Sequence, residues 1–195
     1  MTIRTIRTLI TAAMLIGVAP NTWAQSVSPG QLFAGQLLNV RAPNSKGWVL
    51  VNGSGNTVAF ARGGASSNES YAAYAMLFAI DDSNSPEEFV ALIKKGAEAD
   101  APPDRFKNID SSYEYTDQRG YACVKAKNVT EDMNAKTSFF SRKSLKLQAI
   151  SLYCKHPKQA GAAFVVAFSH RGETLDAELE SQAQPFIAGV QIPDQ

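Results

Sequence analysis

The chain is poor in the side chains that most enzyme chemistry draws on. It has two cysteines and two histidines among 195 residues. Cys123, Cys154 and His156 form the one grouping with metal-ligand character. It lacks both the CxxC spacing of zinc sites and a fourth ligand, so no metal is expected. There is no G-x-S-x-G elbow, no HExxH and no phosphate loop, because Gly63-Gly64 is not followed by Lys-Ser/Thr. No catalytic or cofactor-binding residue is assigned, and no cofactor is expected. Charge of one sign is also lacking, with 19 Lys+Arg against 18 Asp+Glu. A nucleic acid or an anionic membrane as main partner needs a basic excess. The small basic clusters, Arg142-Lys143 and Lys155 to Lys158, read as solvated surface.

Long apolar runs are scarce too. The run Leu9 to Val18 (LITAAMLIGV) has ten residues, half of the roughly 20 that span a bilayer. What surrounds it is informative. Arg4 and Arg7 precede it, Pro20 follows it, and Thr22-Trp23-Ala24 offers small residues where a signal peptidase reads. This is the layout of a cleaved secretory signal peptide, with cleavage after Ala24. The arginines are not adjacent and no cysteine follows the run, which argues against twin-arginine export and a lipid anchor. The expectation is a periplasmic or secreted protein starting at Gln25, with no membrane span after cleavage. Removing 24 of 195 residues leaves 171, enough for one domain with a real core. Losing two arginines leaves 17 basic and 18 acidic groups, a net charge of −1.

Both cysteines survive cleavage. In an oxidising compartment an even pair reads as a disulfide, Cys123–Cys154. Closing a loop of about 30 residues stabilises by roughly 3–4 kcal/mol on the chain-entropy account.

Residues 25–46 read as an N-terminal arm and 47–195 as a single domain. Gly47 to Val51 and Thr57 to Ala61 read as strands joined by Asn52-Gly53-Ser54-Gly55, where Asn-Gly supplies positive φ. Tyr71 to Ile80 is apolar on both faces and reads as a central strand. Ser85-Pro86-Glu87-Glu88 is a helix start: a capping serine, proline in the first turn and a glutamate closing the box. Phe89, Leu92, Ile93 and Ala97 then share one face, and Gly96 with Ala101-Pro102-Pro103 ends the helix. Ser112 to Thr116 and Tyr121 to Val129 read as a hairpin. Phe139 to Tyr153 contains a long strand with a change of parity near Ala149, the mark of a bulge. Ala163 to Phe168 reads as another central strand. Thr174 caps a last helix carrying Leu175, Leu179 and Ala183, which Pro185 stops or kinks. The expected class is α+β: an antiparallel sheet covered by helices, in the order βββ-α-ββββ-α.

Gly47-Trp48, Ser85 to Phe89, Cys154-Lys155-His156-Pro157 and Phe168-Ser169-His170-Arg171 occur in this order. The pattern resembles small exported bacterial proteins with a PsbP-like α/β/α sandwich. The resemblance covers roughly residues 47–190 and implies a fold, a compartment and non-enzymatic accessory roles. It carries over no binding residue.

Two further places attract a functional reading. His170 ends an apolar strand, with Arg171 beside it, and reads as a surface or capping residue. Ser169 precedes it on the opposite face, so the two do not make a nucleophile and base. Tyr113 and Tyr115 alternate along a strand, so one exposed half, with His170 and Arg171, is a possible binding surface. The leading expectation is a non-catalytic exported protein that binds an envelope or secreted protein, as an accessory, inhibitor or immunity-type factor. A small-ligand module with a pocket between sheet and helix is the alternative. A hydrolase using His170 stands third.

Overall fold

Alternation of side chains along extended segments builds most of this molecule. The computed structural model describes residues 25–136 and 142–194. The proposed signal peptide, residues 1–24, and Phe139 and Phe140 of the expected long strand lie outside them. Ten strands and two helices follow in order. They are β1 (Gln25–Ser26), β2 (Leu32–Ala34), β3 (Asn39–Arg41), β4 (Val49–Asn52), β5 (Thr57–Gly63), β6 (Ser70–Ala79) and α1 (Pro86–Ala99). Then come β7 (Phe106–Thr116), β8 (Cys123–Lys136), β9 (Arg142–Lys155), β10 (Ala162–Gly172) and α2 (Leu179–Ala188). Eight strands form one antiparallel sheet in the order β1-β4-β5-β6-β10-β9-β8-β7, while β2 and β3 make a separate ribbon.

The expected α+β class is overturned. Strands take 48% of the described residues and helices 15%, so the chain is mostly β with little helical cover. The reason is width. Eight strands at about 4.8 Å spacing span roughly 34 Å, and a helix is about 10 Å across. One helix on each face covers less than a third of it.

What else covers the sheet comes from the N-terminal segment. On the α2 face, Phe60, Phe164, Val166 and Phe168 pack with Leu179, Ala183 and Phe186 of α2. Val27, Leu38, Val40, Ala42 and Trp48 join the same core. The segment read as an arm therefore lies in the core, tied by Val27 N–H to the Trp48 carbonyl (3.1 Å) and by Asn39 pairing with Gln191. Burying each large apolar side chain there contributes about 1.5–3 kcal/mol. On the other face, Phe89 and Ile93 of α1 pack on Val124, Ala126, Tyr153 and Val165.

Several local expectations meet tertiary structure and change. Ser85 caps α1 through its hydroxyl to the Glu88 N–H (3.2 Å), but the helix runs through Gly96 to Ala99. In the β4–β5 turn the left-handed residue is Gly55 (φ +67°) rather than Gly53. β9 pairs with β10 without interruption past Ala149, and the β8–β9 register shifts at Asp132/Ala135 instead. The parity change in β9 reflects cover on both faces: Leu145 is buried on the α1 side and Leu152 on the α2 side. α2 begins at Leu179, leaving Leu175 about half exposed, and Pro185 lies inside the helix without ending it.

Cys123 and Cys154 are directly opposed on β8 and β9 and form a disulfide. No helix of the described residues is long and apolar enough to cross a membrane.

Candidate functional site

The four residues of the expected binding surface do not meet. β8 and β9 separate them, and strand alternation puts them on two faces. Tyr113 and Tyr115 pack, half-buried, against the α1-side core. Burial pushes the Tyr113 phenol up from its ordinary value. Arg171 lies on that face too, but toward the far end, where its guanidinium is 3.9 Å from Asp132. Asp132 is almost fully buried and takes a bidentate pair from Arg105 (3.0 and 2.9 Å). That charge-assisted fork holds the Arg105 proton more tightly still. It ties the start of β7 to β8 and occupies both carboxylate oxygens.

His170 is a correction. It is 2% exposed, on the α2 face, and not a surface residue. Its Nε2 donates to Glu69 Oε1 at 2.9 Å, and Nδ1 is buried with no hydrogen-bond partner. The His170 hydrogen bond is the main reason the Glu69 carboxyl titrates below its usual range. Gly172 backs onto the ring; a Cβ there would stand 3.0 Å from the imidazole. A side chain at Gly64 would collide with Glu69, which gives that glycine a packing reason without a phosphate. The Tyr71 ring packs on His170, with centroids 4.8 Å apart. Tyr71 donates its hydroxyl to Asp176 (3.0 Å), and burial, then Asp176, pushes the phenol up to about 12. Arg62 lies between the rings of Trp48 and Tyr71 and donates to Ser45 and Gln182. Together these contacts lock the start of α2 to β5, β6 and β10. Among the described residues, neither His170 ring nitrogen has a hydroxyl or thiol as hydrogen-bond partner.

His156 is likewise buried. Lys158 N–H donates to its Nδ1 (3.3 Å), which makes Nε2 the donor to the Leu37 carbonyl (3.1 Å). The ring fastens the N-terminal segment to the end of β9.

Two features remain: a sheet edge that sequence reasoning missed, and a groove in the place, between helix and sheet, where the alternative expectation put a pocket. β7 is an eleven-residue strand at the edge of the sheet, paired among the described strands with β8 alone. Ile109, at the bulge between Asn108 and Asp110, is 51% exposed. The other is an open apolar groove between α1 and the sheet, lined by Tyr74, Phe78, Leu92, Gly96, Tyr153 and Val165 among others. The edge has no sequence signature, because pairing partners are set by topology.

These features define a mostly β, disulfide-stapled domain with one long open edge. No family model matches the chain, and no curated protein matches it.

Proposed function

We propose that the chain is an exported, non-catalytic binding domain that takes another protein at its sheet edge, as an accessory, inhibitor or immunity-type factor of the bacterial envelope. One observation carries this reading: among the described residues β7, eleven residues long, has a strand partner on one side alone, with Ile109 exposed beside it. Proteins usually blunt such an edge with proline, bulges or charge. Here the bulge and the charges of Lys107 and Asp110 guard the first half. Ser111 to Thr116 continues without proline or register shift, with Glu114 as its one charge. A partner segment added there gains main-chain hydrogen bonds and lies beside Tyr113 and Tyr115. The disulfide supports an oxidising compartment, and the signal-peptide pattern of the first 24 residues supports export.

The test is affinity capture from envelope extract with the oxidised protein and with Ile109→Lys, which adds a charge to the edge. Wild type is expected to retain a partner that the variant loses. Equal recovery by both, or no partner while the pure protein turns over a substrate, overturns the reading.

A further inference from the structure

The second half of β7 is complementary to itself. The bulge at Ile109 shifts the β7–β8 register, so the regular stretch runs from Asp110 to Thr116. Its centre is Tyr113. Alternation puts Ser111, Tyr113 and Tyr115 on the α1 face, in register with Asn128, Ala126 and Val124 of β8. Asp110, Ser112, Glu114 and Thr116 take the α2 face. There Glu114 is opposed on β8 by Lys125, and Ser112 by Lys127, which also pairs with Glu180 of α2 (2.7 Å).

An open edge invites a second strand, and a two-fold axis offers it the same edge of another copy. Antiparallel neighbours keep facing residues on one face, so such a pair joins positions of like parity. Centring the axis on Tyr113 uses the whole stretch. Tyr113 then faces Tyr113, Ser111 faces Tyr115, Ser112 faces Glu114, and Asp110 faces Thr116. No charge directly faces its like. Moving the axis to Ser112 sets Asp110 against Glu114 twice, and moving it to Glu114 sets that carboxylate against its own copy. Like charges directly opposed are destabilising. The longest symmetric pairing is therefore also the one that charge permits. It gathers Tyr113 and Tyr115 of both copies on the α1 face, where cross-strand aromatic pairs are favourable. On the α2 face each Glu114 lies between Lys125 of its own chain and Ser112 of the second copy.

We propose that β7 pairs with β7 of a second copy of this chain about a two-fold axis at Tyr113, joining the two sheets edge to edge. The inference rests on the same open edge as the protein-binding reading: a partner strand must displace the second copy. Asp110 to Thr116 is about 24 Å of strand, an interface of the small, transient class, so association depends on concentration.

Sedimentation velocity of the folded, oxidised protein over roughly 10–500 µM, a range suited to an interface of this size, should show a monomer–dimer equilibrium. Ser112→Glu sets carboxylates opposite Glu114 at two symmetric places and should weaken the dimer about tenfold. Adding Glu114→Lys turns both clashes into ion pairs and should restore it. Circular dichroism checks the fold of each variant. Should Ser112→Glu not fold, cysteine cross-linking decides: Tyr113→Cys, on the axis, should give a disulfide-linked dimer, and Ser112→Cys should not. A wild type that stays monomeric throughout, a dimer indifferent to Ser112→Glu, or a double variant no tighter than the single one overturns the proposal. So does cross-linking through Ser112→Cys alone. Ile109→Lys lies outside the paired stretch and should leave the dimer unchanged, so loss of a captured partner and loss of the dimer are read apart. A monomeric wild type that still captures a partner removes the second copy and leaves the protein-binding reading standing.

Discussion

Reducing the Cys123–Cys154 bond isolates a single term in the stability of this domain. Both cysteines are at most 1% exposed, on paired strands, so the two thiols would keep nearly all their packing. What changes is the unfolded chain. The bond spans 31 residues of sequence, and the loop-closure relation gives an entropy loss of about 12 cal/mol/K, or about 3.7 kcal/mol at 25 °C. A domain of this size shifts its midpoint by about 2–4 °C per kcal/mol, so reduction should lower Tm by about 7–15 °C. The assay is thermal unfolding by circular dichroism, oxidised against protein unfolded and refolded in excess phosphine. Thiol counting confirms that both groups are free. A shift below about 2 °C with two confirmed thiols would refute the loop-entropy argument. It would mean that the reduced unfolded chain already holds β8 near β9.

Other outcomes follow from the buried polar groups. Tyr71 and Tyr74 are pushed up to about 12, and burial raises Tyr153 further, so these three of six tyrosines should stay protonated at pH 11 while the fold holds. A tyrosinate absorbance titration in which all six ionise near pH 10 contradicts this burial. Because the folded values are raised, stability should fall as pH climbs above 10, where the unfolded chain ionises first. Arg105→Ala leaves the Asp132 carboxylate buried with the Asn134 N–H (3.3 Å) and the more distant Arg171, and should cost roughly 3 kcal/mol in denaturant unfolding. A loss under about 1 kcal/mol would show that the fork adds little. The folded pKa of Glu69 is depressed, so its contribution is present above pH 4.5 and lost as pH falls through the folded value. Glu69→Gln should flatten that acid limb relative to wild type, and an unchanged limb argues against the His170 contact.

Local chemistry was legible in the chain from short stretches alone. Ser85-Pro86-Glu87-Glu88 specifies a helix start within four residues, because a cap needs only the first turn. Tyr71 to Ile80 shows an apolar strand covered on both faces, and β6 does lie inside the sheet. The cysteine pair was legible through parity and compartment, and the two residues are register partners. Helix ends were less so. Thr174 makes a plausible cap, yet the contacts of Asp176 with Tyr71, Gln148 and Gln182 hold that stretch outside the helix.

Sequence by itself determined the elements whose causes are local: the capped start of α1, the alternating strands, the paired cysteines and the near-neutral charge. Tertiary structure alone decided that His170 is buried against Glu69, that Tyr113 and Arg171 stand apart on the face opposite it, and that two short helices leave most of a wide sheet to other cover. The physical reason is range. Caps and alternation are settled within a few residues. Which face is covered, which edge stays open and which histidine is enclosed depend on contacts across about 100 residues of chain, such as His170 with Glu69, separated by 101.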